Sequence, residues 1–303
     1  MKLKKVLETL NSILQGKEKA IKLSLICLLA KGHLLIEDLP GVGKTTLALA
    51  ISRVFGLSFG RIQGTSDLLP SDITGTTVYH KKTESFKFHK GPIFNHIVLV
   101  DEINRMSPKT QSALLEPMEE NQVTVDGITY PLPQPFFLIA TQNPIEYHGT
   151  YPLPEAQIDR FFMKISIGYP SKNLEKEILK IGSLKDSIIN LEPIMDKDEL
   201  IRAQKEVNQV YVSEKIIDYV LDIVEATRKN PYLLAGLSTR GALILIQVAK
   251  AKAYLEGRDF VIPEDIKDIA LYTTPYRLIP KDENMINRTK IVEEILQKIK
   301  IPV

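Results

Sequence analysis

The sequence contains no tryptophan and a single cysteine, Cys27, among its 303 residues. One thiol cannot form a disulfide within the chain, so the class of small secreted scaffolds held together by disulfides is excluded. Cys27 lies in the apolar stretch 23 to 30, where the expected role is that of a small buried hydrophobic side chain. This cysteine usage indicates a reducing compartment.

Long hydrophobic runs and an excess of one charge are also missing. The stretch 23 to 30 is flanked by Lys22 and Lys31 and is far shorter than the ~20 residues that cross a bilayer. Polar residues stand where a secretion signal needs its apolar region, so we expect a cytoplasmic protein without membrane insertion. The 39 basic and 37 acidic residues leave a net charge of +2, which does not attract the chain as a whole to nucleic acid.

The chain is long enough for two folded domains. Single cores stop growing beyond roughly 250–300 residues, and 44% hydrophobic with 25% charged residues is an ordinary globular composition. Strand and helix patterns alternate up to about residue 168, after which helical periodicity dominates. We therefore predict an α/β domain over 1–168 and a helical domain over 171–303, with the boundary at 168 to 171.

Short apolar runs without alternation are typical of strands that are buried on both faces of a parallel sheet. Such runs lie at 33 to 37, 97 to 100, 136 to 140 and 161 to 165, and helical segments lie at 17 to 31, 45 to 55 and 108 to 119. The order predicts a sheet with helices on both faces and ligands at the carboxyl ends of its strands.

Two stretches of the first domain, 75 to 90 and 122 to 131, have the pattern of hairpins. The second stretch has Asp126-Gly127 at its centre, a strong signal for a two-residue turn because both turn positions favour positive φ.

The helical domain has apolar faces that predict buried helix surfaces, at Ile216, Val220, Ile223 and Val224 and at Leu243, Ile246 and Ala249. A helix start is predicted at Pro263.

The most informative segment is a phosphate-binding loop between a buried strand and a helix. It contains Asp38, Pro40, Gly41, Val42, Gly43, Lys44, Thr45 and Thr46. Glycines let backbone N–H groups surround phosphates, and the helix amino terminus adds positive potential. In such a loop Lys44 reaches the β- and γ-phosphate oxygens, and the Thr45 hydroxyl binds magnesium. The segment therefore predicts binding of ATP or ADP with Mg²⁺.

Asp38 departs from the usual loop pattern, which has glycine at this position. Aspartate is one of the few residues that tolerate a left-handed backbone. We therefore expect the loop to form with aspartate at this position.

Two more buried strands end in polar residues that suit phosphate hydrolysis. Asp101 follows one strand and would hold magnesium through water, and Glu102 beside it would orient or deprotonate the attacking water. Acids at strand ends are also common as helix caps. Asn143, past the next strand, could fix the water and the γ-phosphate, although Asn-Pro is also a common turn opener.

With these motifs the chain resembles the AAA+ ATPases, and the MoxR family most closely, nearly from end to end. The resemblance is carried by Asp-Leu-Leu-Pro-Ser-Asp-Ile-Thr-Gly at 67 to 75, Asp-Glu-Ile-Asn-Arg at 101 to 105, Pro-Lys-Thr-Gln-Ser-Ala-Leu-Leu-Glu at 108 to 116, Gln-Val-Thr-Val-Asp-Gly at 122 to 127, Ala-Thr-Gln-Asn-Pro at 140 to 144 and Leu-Pro-Glu-Ala-Gln-Ile-Asp-Arg-Phe at 153 to 161. It implies a P-loop AAA+ core followed by a small all-α lid. The hairpin at 75 to 90 resembles the family's insertion into the second helix, and the one at 122 to 131 resembles the hairpin before sensor 1.

The resemblance also implies roles for individual residues. Asn143 corresponds to sensor 1, Arg160 to the arginine finger that enters a neighbour's nucleotide site, and Arg240 to sensor 2 on the lid. Gln15 and Gly16, in the segment 13 to 16, would flank the adenine. The implied protein is a homo-oligomer, a ring of six, that hydrolyses ATP to remodel client proteins, often partners with von Willebrand factor A domains, in complex maturation or cofactor insertion.

Several alternatives stay open at this point. Arg105 would serve either the subunit interface or a structural pairing. Lys81, Lys82, Lys87 and Lys90 crowd the first hairpin, which suits either contact with nucleic acid or an acidic protein, or simple solvation. A nucleic-acid motor is one rival function, against which the neutral net charge argues. An ATP-dependent binding switch is the other, and it would not need a water-handling residue such as Glu102.

Overall fold

The computed structural model describes residues 2–145, 149–170, 172, 175–176, 179, 182, 188–282 and 287–302. The chain divides into two compact units. The first comprises Met1–Ser24, His33–Arg160 and Ile165–Ile201, and the second comprises Leu25–Gly32, Phe161–Lys164 and Arg202–Val303. The boundary expected at 168 to 171 stays a prediction.

Helices and strands alternate in the first part of the chain and helices dominate the second. The earlier elements are α1 (Lys2–Ile13), α2 (Glu18–Leu29), β1 (Leu34–Glu37), α3 (Lys44–Val54), β2 (Phe59–Gln63), α4 (Pro70–Thr74), β3 (Gly75–His80), β4 (Ser85–Lys90), β5 (Ile97–Asp101), α5 (Pro108–Ser112), α6 (Leu115–Glu120), β6 (Gln122–Val125), β7 (Ile128–Pro131), β8 (Phe137–Gln142), α7 (Glu155–Ile158) and β9 (Met163–Ile165). The later ones are α8 (Lys197–Gln209), α9 (Glu214–Arg228), β10 (Leu233–Ala235), α10 (Thr239–Leu255), α11 (Pro263–Thr273), β11 (Ile279–Pro280) and α12 (Arg288–Lys298).

A five-stranded sheet forms the core of the α/β part, in the order β2–β5–β8–β1–β9. The ladders between β2 and β5, β5 and β8, and β8 and β1 are parallel. Residues 34–36, 97–100 and 138–140 of its strands are fully buried, as their unbroken apolar sequences predict. Because these strands are parallel, Gln63, Asp101 and Gln142 end at the same edge of the sheet.

Both predicted hairpins are confirmed. The strands β3 and β4 pair from Gly75 with Lys90 to His80 with Ser85. The strands β6 and β7 pair up to Val125 with Ile128, which leaves a two-residue turn. In that turn Asp126 has φ 51° and Gly127 has φ 77°, the positive values that the Asp-Gly sequence favours.

The prediction of one helical segment over 108 to 119 is wrong in part, because the structure has two short helices there, α5 and α6. Pro117 explains the break. It has no N–H to donate to the carbonyl of Ala113, so a continuous helix would lose a hydrogen bond there. In α6 Pro117 instead lies in the first turn, where helices tolerate proline.

The apolar stretch 23 to 30 is largely contained in α2. Its cysteine, Cys27, is fully buried, and burial raises the pKa of the thiol, which suits an inert packing role. Over the described ranges, no helix combines the length and the apolar character needed to cross a membrane.

Helices α9 to α12 contribute most of the core of the second unit. The predicted face of α9 is buried at Ile216, Val220 and Ile223. The predicted face of α10 is wrong in part, because Leu243 is 64% exposed while Leu245 and Val248 are fully buried. The helix is apolar on most of its circumference, so periodicity alone did not locate its inner face.

Candidate functional site

A cavity of about 340 Å³ opens at the carboxyl ends of the strands in the first unit. It brings together most of the predicted site residues. Its lining consists of Pro40, Gly41, Gly43, Lys44, Thr45, Thr46, Arg61, Asp101, Glu102 and Asn143. Residues from four separate stretches of sequence therefore meet at one place.

The loop before α3 has the backbone of an anion-binding turn. Gly41 and Gly43 have φ values of 83° and 96°, which glycine adopts without strain. Gly43 caps α3 without a side-chain hydrogen bond, so the first-turn N–H groups are not used by a capping side chain. Val42 is 4% exposed and fixes the loop to the core. The positive end of the helix therefore lies at the cavity.

Lys44 lies at the start of α3 with its ammonium group turned back toward the loop. Its Nζ donates to the carbonyl oxygens of Asp38 at 2.8 Å and Leu39 at 3.3 Å. Burial lowers the pKa of Lys44, and the negative charges of Asp101, Asp38 and Glu102 oppose that effect. The Lys44 ammonium thus lies between loop carbonyls and carboxylates, and its positive charge would strongly stabilise a phosphate bound there.

Asp38 does not use the left-handed backbone that aspartate tolerates. It is absent from the positive-φ residues of the described chain, and its N–H continues the sheet by donating to Gln142 O at 3.1 Å. Its buried carboxylate serves as a hydrogen-bond acceptor. Oδ2 accepts hydrogen bonds from Ser166 Oγ at 3.1 Å, from Gly168 N at 3.0 Å and from Ile167 N. Asp38 therefore anchors the start of the loop to the segment after β9.

We expect Asp38→Ala to lower the free energy of unfolding by about 2 kcal/mol, because hydrogen bonds to a charged group contribute about 1.5–3 kcal/mol and two backbone N–H groups would lose their acceptor. Urea unfolding followed by circular dichroism measures this. Asp38→Asn is the matched control, since its Oδ1 keeps one acceptor, and it should lose less. An unchanged midpoint in Asp38→Ala would contradict the anchoring role.

Both carboxylate oxygens of Asp101 are engaged by neighbouring strands. Oδ1 accepts from Thr141 Oγ1 at 2.6 Å, and Oδ2 accepts from Arg61 Nη2 at 2.7 Å. The Thr45 hydroxyl belongs to a residue that lines the same cavity. Carboxylate and hydroxyl oxygens are ligands that suit Mg²⁺, which usually keeps several waters as well. The residues present thus fit the magnesium site predicted at Thr45 and Asp101.

Glu102 has an unusual backbone and a well-held side chain. Its φ and ψ of 56° and 50° are left-handed, which is uncommon for a non-glycine residue and is often found at functional sites. Its Oε2 accepts from Gln63 Nε2 and from Arg105 Nη1, each at 3.0 Å. Its N–H donates to Thr141 Oγ1 at 2.9 Å. Arg105 therefore has an ion-pair partner in its own chain, and its interface role stays a prediction.

Asn143 lines the cavity, and its Oδ1 also accepts from Ile145 N at 3.2 Å. Both roles predicted for Asn143, a water-positioning amide and a turn opener, are therefore compatible with its position.

Arg160 lies just after α7, with its side chain 18% exposed. Its Nη2 pairs with Glu119 Oε2 at 2.9 Å, and its Nη1 donates to Ala156 O at 2.7 Å.

Like Asp38, Val42 and Arg160, the predicted residues Gln15, Gly16 and Arg240 lie outside the lining of the cavity. Gln15 and Gly16 are exposed between α1 and α2, and Gly16 N donates to Glu18 Oε1 at 3.0 Å. Arg240 is exposed in the first turn of α10, in the second unit. The adenine and sensor 2 roles of these residues stay predictions.

Sequence reasoning missed Arg61, Gln63 and Thr141. A partial signal existed for the first two. In Arg61-Ile62-Gln63 polar and apolar residues alternate, which is the pattern of a half-buried strand and puts the side chains of Arg61 and Gln63 on one face. Thr141 carries no such signal, because its contact with Asp101 depends on the pairing of β5 with β8.

Comparisons with known proteins identify the family of the chain. The model of the ATPase family associated with various cellular activities (AAA) matches residues 33–163, and an AAA lid domain model matches 225–299. The uncharacterized protein YeaC of Bacillus subtilis is 49% identical over 99% of this chain and 94% of its own length. Chaperone MoxR1 of Mycobacterium tuberculosis is 38% identical over 99% of this chain and 82% of its own length.

A solved structure gives the same result for the fold. A crystal structure from Cytophaga hutchinsonii, of a protein assigned as an ATPase, superposes with a TM-score of 0.90 at 40% identity, covering 100% of this chain and 95% of that one. The expected α/β core with a lid-type helical region is therefore confirmed. From its phosphate loop, its strand-end acids and these full-length matches, we conclude that the chain belongs to the MoxR family of AAA+ ATPases.

Proposed function

We propose that the chain hydrolyses ATP with Mg²⁺ in the cavity of the first unit and uses the hydrolysis cycle to remodel client proteins. The observation that carries the proposal is the meeting of Lys44, Thr45, Asp101, Glu102 and Asn143 on one cavity wall. A site for binding alone would need the loop and its cation, but it would not need a carboxylate placed to handle water.

The binding half of the proposed site is the loop and its flanks. The N–H groups of residues 41 to 46 and the Lys44 ammonium would hold the phosphates, and Thr45 with Asp101 would hold the metal. When bound, Mg²⁺ neutralises charge on the phosphate oxygens. The segment 13 to 16 would flank the adenine.

The hydrolytic half is built from strand ends. Glu102 would accept a proton from the attacking water while Asn143 orients that water. The contacts of Glu102 with Gln63 and Arg105 support this role, since a carboxylate held by two donors keeps a defined position. Arg240 would act as the sensor on the lid.

The proposed assembly is a six-membered ring in which Arg160 completes the neighbour's site. An arginine is always charged, and its planar fork suits a γ-phosphate. In its own chain Arg160 is held by Glu119 and Ala156. To act across an interface its guanidinium must exchange the Glu119 carboxylate for a phosphate, a substitution of one anion for another.

The proposed remodelling of clients is supported by one relative that bears the name Chaperone MoxR1. We propose a cytoplasmic protein whose clients include partners with a von Willebrand factor A domain. The hairpin of β3 and β4 is a candidate contact. It carries Lys81, Lys82, Lys87 and Lys90 against a single acid, Glu84, and its Phe86 is 72% exposed. If this hairpin served nucleic acid instead, binding would weaken steeply with salt.

The nucleotide-binding role is tested by Lys44→Ala. Titration calorimetry with ATP and Mg²⁺ should show an affinity about 10- to 100-fold below wild type, because one hydrogen bond to a charged group contributes about 1.5–3 kcal/mol. Lys5→Ala, at an exposed position of α1, is the control for loss of one positive charge and should bind as wild type does. Equal affinities of Lys44→Ala and wild type would contradict the proposed site.

A further inference from the structure

Arg61 is a second cation in the wall of the cavity, and the motifs of the sequence assign it no role. It lies in β2, and its guanidinium contacts Asp101, the acid at the end of the neighbouring strand β5. Its Nη2 donates to Asp101 Oδ2 at 2.7 Å and to Gln63 Oε1 at 2.8 Å. Two neighbouring strands therefore hold the arginine beside the phosphate-binding loop.

Most of the hydrogen-bonding capacity of Arg61 is not used by these contacts. A guanidinium has five N–H donors, and both bonds of Arg61 start from Nη2. In the part of the chain that the structure describes, Nη1 and Nε donate to no protein acceptor. The side chain is 48% exposed, so these donors are accessible to a ligand. An arginine fork of this kind suits phosphate oxygens.

The charges of the cavity favour a phosphate that arrives with a divalent cation. The wall carries two cations, Lys44 and Arg61, and two carboxylates, Asp101 and Glu102. A phosphate ligand offers Arg61 a second anion, and a metal ion offers Asp101 a second cation. Both members of the ion pair are thus satisfied when phosphate and metal bind together.

We propose that Arg61 is a nucleotide-binding residue of this cavity and that it contacts the terminal phosphate of ATP. The inference rests on the ATP binding proposed above. The terminal phosphate is the chemically reasonable partner, because Arg61 sits beside Asp101 and Gln63 at the strand ends that carry the proposed hydrolytic residues. The backbone N–H groups of the loop serve the other phosphates.

The test is titration calorimetry on Arg61→Gln with ATP and with ADP, each in Mg²⁺ and in EDTA. Without metal, the variant should bind ATP about tenfold or more weakly than wild type, because it lacks a direct charge-assisted contact. In Mg²⁺ the loss should be smaller, since Asp101 no longer has a competing cation. In both solutions the Arg61→Gln substitution should weaken the binding of ADP less than the binding of ATP.

The EDTA titrations separate direct binding from positioning. If Arg61 only oriented Asp101, the variant would lose affinity in Mg²⁺ alone, and wild-type ATP affinity in EDTA would overturn the proposal. Arg53→Gln, in the last turn of α3 and outside the cavity lining, removes the same charge and should bind as wild type does. Arg61→Lys keeps the charge without the fork and should fall between wild type and Arg61→Gln. Thermal unfolding shows whether each variant is folded.

The outcomes also separate this inference from the proposed function. If the wild-type chain does not bind ATP, both fail. If wild type binds ATP and Lys44→Ala does not, while Arg61→Gln keeps full affinity in EDTA, then only the role of Arg61 is wrong.

Discussion

Replacement of Arg160 by alanine is expected to lower ATP turnover by about 10³- to 10⁵-fold, because an arginine supplied across an interface contributes a factor of that size to phosphoryl transfer. The affinity for ATP should stay near the wild-type value. Affinity should persist because Arg160 does not line the nucleotide cavity of its own chain. Phosphate release and calorimetry on the same preparation measure the two quantities.

Glu119→Gln is the matched control for this substitution. It removes the ion pair of Arg160 but leaves the arginine in place, so turnover should stay within a few-fold of wild type. If both variants lost turnover equally, the arginine would be important for the fold of this region and not for catalysis. Turnover of Arg160→Ala within tenfold of wild type would remove the finger role.

Glu102→Gln should reduce turnover by about 10²-fold or more while ATP still binds, because the amide cannot accept the proton of the attacking water. The substitution is conservative, since the amide oxygen of glutamine can still accept from Gln63 and Arg105. Steady-state phosphate release measures the loss, and calorimetry checks that binding is kept. Turnover within a few-fold of wild type would mean that Glu102 is only a strand-end acid.

The same variant is the best reagent for the proposed client. A chain that binds ATP but does not hydrolyse it should retain a client in ATP and release it in ADP. A protein that co-purifies equally in both nucleotides would not be a client of the hydrolysis cycle.

The buried strands could be predicted because their signals are local. Residues 97–100 are apolar without interruption, and the strand they form is buried on both faces. Asp126 and Gly127 likewise specify their turn by their own conformational preferences. The phosphate loop belongs to the same class, since the positive φ of Gly41 and Gly43 is a property of glycine itself.

The features that escaped prediction depend on contacts between distant segments. Asp38 is anchored by residues 166 to 168, more than a hundred positions along the chain, so its acceptor role could not be inferred from the loop alone. Arg61 and Thr141 reach Asp101 only because β2, β5 and β8 are neighbours in the sheet. The strand order was not specified by the sequence patterns, and the charged lining of the cavity follows from it.

The most direct test of a hydrolysis site shared between subunits is phosphate release from a mixture of Lys44→Ala and Arg160→Ala. Each protein alone should be nearly inactive, the first for lack of a working phosphate loop and the second for lack of a finger. In the mixture, Arg160 of the first can complete an intact pocket of the second, so activity should appear and rise with total protein concentration. A mixture that stays inactive, although sedimentation shows the two variants in one assembly, would contradict the shared site.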